Sequence, residues 1–169
     1  MAPPPPNGLQ PLAPLAARVG SALRAREQTL AIAEGSCGGL VSAALVAVPG
    51  ASHFFAAGAV LYTRAAFRGV LGERLEALRG LRGASEPFSL ALAREARAQF
   101  GSDWALGEAG ASGPSGNRYG DPAGHVALAV AGPVERARVV ETGLDDREAN
   151  MWRFAEAALS LLAEALDEA

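Results

Sequence analysis

Thr29-Leu30-Ala31-Ile32-Ala33-Glu34-Gly35-Ser36-Cys37-Gly38-Gly39-Leu40 decides how this chain is read. The apolar first half predicts a buried strand over Thr29 to Glu34. The glycines then impose a turn that carries a carboxylate, a hydroxyl and the chain's single thiol. Beyond them Leu40-Val41-Ser42-Ala43-Ala44-Leu45-Val46-Ala47-Val48 continues as a helix, predicted over Cys37 to Val48. Strand, glycine turn and helix is where α/β proteins place ligands, because free turn N–H groups and the helix dipole attract anions. Glu34, Gly35, Gly38 and Gly39 are therefore expected to border a ligand, beside Ser36 and Cys37.

The chain contains no lysine, and all 15 of its basic residues are arginine. Arginine does not give up its proton in proteins, so any mechanism that needs a lysine beside the serine is closed. Half of the 169 residues are apolar and 20% are charged, enough for one domain with a substantial core, expected over residues 9–169. Met1-Ala2-Pro3-Pro4-Pro5-Pro6-Asn7-Gly8 reads as a disordered, polyproline-like leader over residues 1–8. It has neither the basic start nor the apolar run of a signal peptide. The longest uncharged apolar stretch, Leu40 to Val48, is far short of the ~20 residues that span a membrane. One cysteine leaves no internal disulfide and points to a cytoplasmic location. With a net charge of −3 and scattered arginines, no nucleic-acid partner is expected. His53, His125 and Cys37 lack metal-ligand spacing, so no metal and no cofactor are expected.

Periodicity predicts an amphipathic helix over Leu12 to Glu27 and a second strand over Ala57 to Thr63. Short helical pieces follow at Ala65 to Leu71 and Arg74 to Arg79. Ser85-Glu86-Pro87 is a helix start with a capping hydroxyl, and Gly101 ends that helix after Phe100. A third strand is placed at Asp103 to Ala109, and a 14-residue loop, Gly110 to Ala123, is long enough to suggest function. His125 to Ala131 and Arg136 to Thr142 form an antiparallel pair, and Asp146 to Leu166 is the closing helix. The alternation predicts an α/β three-layer sandwich: a mixed, mostly parallel sheet with helices on both faces.

Ala33-Glu34-Gly35-Ser36-Cys37-Gly38-Gly39 resembles the Ala-Glu-Ser-Cys-Thr-Gly-Gly signature of the CinA C-terminal domain family, which includes stand-alone nicotinamide mononucleotide deamidases. The likeness continues in register from about Ala13 to the end. Pro49-Gly50-Ala51-Ser52-His53-Phe54-Phe55 is similar to Gly-Ser-Ser-x-x-Phe, and Gly58 to Thr63 to the strand ending Tyr-Ser-Asn-Glu-Ala-Lys. Ser85-Glu86 falls on Val-Ser-Glu, Gly110-Ala111-Ser112-Gly113-Pro114 on Gly-Ile-Ala-Gly-Pro, and Pro122-Ala123-Gly124-His125-Val126 on Pro-Val-Gly-Thr-Val. Asp146-Arg147-Glu148 falls on Gly-Asp-Arg-Glu. By resemblance, the serine after the glutamate attacks, a lysine after the tyrosine activates it, and the tyrosine assists. The match puts Gly35 at the serine and Phe67 at the lysine, and only Tyr62 keeps its type. Nucleophilic catalysis needs an attacking group and a base, and both positions are changed. Ala109 replaces a hydroxyl residue and follows an unexpected Glu108, while Asp121 replaces a lysine.

Ser36 and Cys37 sit one position late. They either cap the second helix or reach the attacking position through a bulged turn, where a thiolate near a helix N-terminus would be favoured. Arginine bias does not explain Phe67, whose ring would fill the polar end of the pocket and offer a stacking surface to a base or a nicotinamide. Glu34 could satisfy the N–H groups of the turn. Gly110 to Gly116, with Gly113, forms a tight turn or an anion nest facing Gly38 and Gly39. Arg147 pairs with Asp145 or Glu148, or contacts a phosphate as the resemblance implies. Arg64 and Arg68 are solvated or lend charge to a phosphate. His53 and His125 read as surface or rim residues. Three functions follow: a degenerate family member that binds a nucleotide-like or small anionic ligand; an amidohydrolase rebuilt on Ser36 or Cys37 with Tyr62 or Glu34 nearby; or an interaction protein without ligand. The resemblance also implies a homo-oligomer, a dimer.

Overall fold

The computed structural model describes residues 8–169. The leader expected at residues 1–8 therefore lies outside the described residues, apart from Gly8, which stands in a turn. Five strands form one sheet in the order β2-β1-β3-β4-β5. These are β1 (Leu30–Glu34), β2 (Phe55–Val60), β3 (Trp104–Ala111), β4 (His125–Ala131) and β5 (Arg136–Glu141). β1 pairs in parallel with β2 and β3, whereas β3, β4 and β5 pair antiparallel. Four strands thus run one way and only β4 runs against them, the mixed, mostly parallel sheet that the alternation predicts.

Period-two alternation divides each central strand between two cores. Leu30 and Ile32 of β1, Trp104 and Leu106 of β3, and Val126, Leu128 and Val130 of β4 all enter one cluster. Helices α1 (Ala13–Ala25), α2 (Leu40–Val46) and α5 (Arg147–Glu168) cover that face with Val19, Leu23, Leu45, Phe154 and Leu159. The opposite face carries small residues: Ala31 and Ala33 of β1 and Ala105 of β3 meet Leu92 and Ala96 of α4 (Glu86–Phe100). Gly107 takes this to its limit. A Cβ there would lie 2.2 Å from the Ser89 carbonyl oxygen, so α4 rests directly on the backbone of β3. Large side chains on one face and small ones on the other set how closely each helix layer approaches.

Helix α3 (Arg64–Leu71) and a 3-10 turn at Gly72–Leu78 lead into α4. Ser85 caps α4 by accepting from the Phe88 N–H, and Gly101 ends it in a left-handed conformation. Asp146 caps α5 by accepting from the Ala149 N–H at 2.8 Å. Of the element boundaries that differ from expectation, three bear on the site. Helix α2 begins at Leu40 rather than Cys37, because Gly38 and Gly39 take φ of +65° and +100°, which keeps residues 36–39 in a turn. β2 runs Phe55–Val60 instead of Ala57 to Thr63, since Thr63 leaves the sheet to cap α3 through the Ala66 N–H at 3.2 Å. β3 extends to Ala111, paired with His125, so the long loop begins at Ser112.

The chain leaves β1 through α2 to β2 on one side and returns through α3 and α4 to β3 on the other. The crevice at the carboxyl ends of β1 and β3 is the switch point of the sheet, where open α/β sheets hold ligands.

Candidate functional site

At that crevice two buried glutamates hold the glycine turn from opposite sides. Glu34, at the end of β1, accepts from the N–H groups of Gly39 (3.1 Å), Val41 (3.2 Å) and Ser42 (3.0 Å), and from the Ser42 hydroxyl (2.7 Å). It is thereby the cap of α2, the task that Ser36 or Cys37 was expected to perform. Glu108, on β3, accepts from the N–H groups of Gly35 (2.8 Å) and Cys37 (2.9 Å) and from the Ser36 hydroxyl. Neither carboxylate has a cationic partner among the described residues. Burial pushes the Glu108 pKa up, the bonds from Ser36, Cys37 and Gly35 oppose the rise, and Glu34 adds to it; the net direction is upward.

Five turn and helix N–H groups expected to greet an anion are therefore engaged by the protein's own carboxylates. Ser36 is 8% exposed. Its carbonyl accepts from Ser112 at 3.0 Å, and Asn150 of α5 donates to the Ser112 carbonyl at 2.7 Å. A Cβ on Gly110 would lie 2.9 Å from the Ser36 hydroxyl, so the end of β3 closes against it. Gly35 is buried, and a Cβ there would stand 3.3 Å from the Leu61 carbonyl oxygen. Cys37 corrects the expectation of a favoured thiolate. It is 0% exposed within the α1–α2–α5 core, and burial, Glu108 and Glu34 all raise its pKa well above the usual thiol value.

The remaining residues divide into two groups. Phe67 packs against the smaller core with Ala66 and Val70, its ring 6.1 Å from that of Phe88. Tyr62, by contrast, is 61% exposed, just past the end of β2. Its hydroxyl accepts from Arg147 Nη2, while Arg147 Nη1 donates to the Gly113 carbonyl at 2.6 Å. The guanidinium lies 6.0 Å from the Tyr62 ring centre. Arg147 thus joins the end of β2, the long loop and the start of α5, rather than pairing with Asp145 or Glu148. No hydrogen bond links Ser36 or Cys37 to Tyr62 among the described residues. Two surface clefts, one bordered by Gly72, Arg74 and Glu95 and the other by Pro122, Glu141 and Leu144, do not reach the turn. Arg64, Arg68 and His53 are exposed, but His125 is buried, which corrects its expected place at the surface.

Glu108, Ser112 and Asn150 were not assigned a role from the sequence. Glu108 carried a signal, an acid within the apolar run Trp104-Ala105-Leu106-Gly107-Glu108-Ala109. Such an acid must find donors or stay uncharged when buried.

A family model for the CinA C-terminal domain matches residues 12–166. A CinA-like protein of Anaeromyxobacter sp. (strain K) is 42% identical over 144 residues, 85% of this chain and 35% of that protein. A CinA-like protein of Prochlorococcus marinus (strain MIT 9313) is 40% identical over 119 residues, 70% of this chain and 28% of that protein. The chain thus spans about a third of the length of the curated relatives it matches. Among solved structures, a competence-damaged protein (CinA) superfamily protein of Klebsiella pneumoniae 700603 aligns with a TM-score of 0.84 at 30% identity, over 93% of this chain and 98% of that one. A competence/damage-inducible protein of Agrobacterium tumefaciens aligns with a TM-score of 0.82 at 27% identity, over 99% of both.

Proposed function

The chain belongs to the CinA C-terminal domain family, and from that premise we propose a member that lacks efficient amide hydrolysis by the serine–lysine route and binds a small anionic, nucleotide-like ligand. One observation carries this reading: Glu34 and Glu108 already occupy the N–H groups that would hold a substrate oxyanion. The family's attacking position, Gly35, offers no side chain, and the base position, Phe67, contributes a ring to an apolar cluster. What the crevice still presents outward is Arg147, held in a fixed orientation by Gly113 and Tyr62, with Tyr62 as an exposed aromatic face. A guanidinium fork suits phosphate oxygens, and an aromatic face suits a base.

Calorimetric titration with nicotinamide mononucleotide and with simple nucleotides tests the binding. Saturable binding is expected, weakened at least tenfold by Arg147→Ala, or about 1.4 kcal/mol. Equal heats from wild type and variant would remove Arg147 from the site. One observation favours a second reading, an amidohydrolase rebuilt on Ser36: its hydroxyl donates to a buried carboxylate whose pKa is raised, a nucleophile resting on a base. A serine-directed fluorophosphonate separates the two. Labelling lost in Ser36→Ala would favour the rebuilt enzyme, and an unlabelled protein the degenerate one. We also propose self-association as a homodimer. β2 is an edge of the sheet; its last residue, Val60, is exposed, as is Val46 at the end of α2.

A further inference from the structure

The loop that supplies Gly113 to the crevice ends on a histidine surrounded by oxygen atoms. His125 opens β4, and its side chain is 7% exposed. Nε2 faces the Ala84 carbonyl oxygen at 2.7 Å, in the turn before α4. Nδ1 faces a carboxylate oxygen of Glu141 on β5. Asp121, in the loop itself, lies 3.6 Å from Nε2. Asp121 in turn accepts from Arg82 (2.7 Å) and Asn117 (2.8 Å). The charged groups facing the ring are therefore Glu141 and Asp121, with Arg82 behind Asp121 partly offsetting its charge.

A carbonyl oxygen only accepts, so Nε2 must carry a proton. A carboxylate also only accepts, so Nδ1 must carry one as well. Both contacts hold together only for the imidazolium. A neutral ring keeps one of them and turns a lone pair toward oxygen at the other. We propose that His125 is a proton-operated latch, fastening the end of the loop of residues 112–124, where it enters β4, to the turn before α4 and to β5 when charged, and loosening it when neutral. This inference stands apart from ligand binding, because every contact it uses lies within the chain.

Burial pulls the His125 pKa down, but Glu141, the Ala84 carbonyl and Asp121 outweigh it and the net direction is upward. A raised folded-state pKa contributes stability that is complete below the unfolded value of about 6.5 and is lost as pH rises through the folded value.

Two readings taken together on the full chain test it: nuclear magnetic resonance of the imidazole nitrogens, and hydrogen exchange of amides 112–124 corrected for the intrinsic pH dependence of exchange. The His125 transition is expected above pH ~6.5, with loop opening rising through the same transition, about tenfold for each unit between the closed and open pKa. Glu141→Gln keeps an acceptor but removes the charge, and should carry both transitions to lower pH together. His125→Thr should abolish the pH dependence of loop opening. A ring that titrates at or below ~6.5, or loop exchange that ignores the ring's transition, overturns the latch. If His125→Thr fails to fold, wild type against Glu141→Gln still decides.

Discussion

Glu108 does by itself what a bound anion would do at this turn: it satisfies two buried N–H groups and a hydroxyl with one carboxylate. Its folded-state pKa is raised, so its contribution is complete below the unfolded value of about 4.3 and is lost as pH rises through the folded one. Glu108→Gln retains an oxygen for Gly35 and Cys37, can donate to Ser36, and carries no charge. Urea unfolding at pH 7 should find it at least as stable as wild type, with the difference shrinking toward pH 4. Glu108→Ala leaves two buried N–H groups unpaired and should cost about 2–5 kcal/mol in the same assay. A Gln variant as unstable as the Ala variant would contradict the pairing. Cys37 yields a simpler test. Its thiol should react with a chromogenic disulfide only after unfolding, since it is buried and its thiolate is disfavoured. Rapid modification of the native protein would contradict its place in the core.

Helix α4 depends on the absence of side chains beneath it. Gly107→Ala would drive a methyl into the Ser89 carbonyl, and a loss of about 1–3 kcal/mol or more is expected on denaturant unfolding. Stability unchanged within ~0.5 kcal/mol would show that α4 stands further from β3. The same packing explains which elements the sequence disclosed. The large apolar positions of β3 and β4 alternate cleanly, and Ser85 and Gly101 cap and stop α4 as their chemistry predicts. Where a local signal had two uses, the boundary moved. Ser36 and Cys37 resemble cap residues, yet Glu34 reaches the N–H groups first from the end of β1. Thr63 resembles a strand residue but caps α3. His125 reads as a rim residue because its partners, Ala84 and Glu141, are remote in sequence.

The folded chain assembles its crevice from parts that no local window contains. Tyr62, Gly113 and Arg147 meet only because β2, the long loop and α5 converge at the switch point of the sheet. The place of the candidate site was legible in the strand–turn–helix motif, while its hydrogen bonding was not, because Glu108 arrives from a different strand. Self-association belongs to the molecule as a unit: sedimentation equilibrium should give twice the chain mass, and a monomer at high micromolar concentration would contradict the proposed dimer. The most direct test of the account is ammonia release from nicotinamide mononucleotide by the purified wild-type chain at high enzyme concentration, beside a Ser36→Ala, Cys37→Ala control. The account predicts no release above the control from a folded protein. Release that disappears in the control would contradict it and establish a relocated nucleophile.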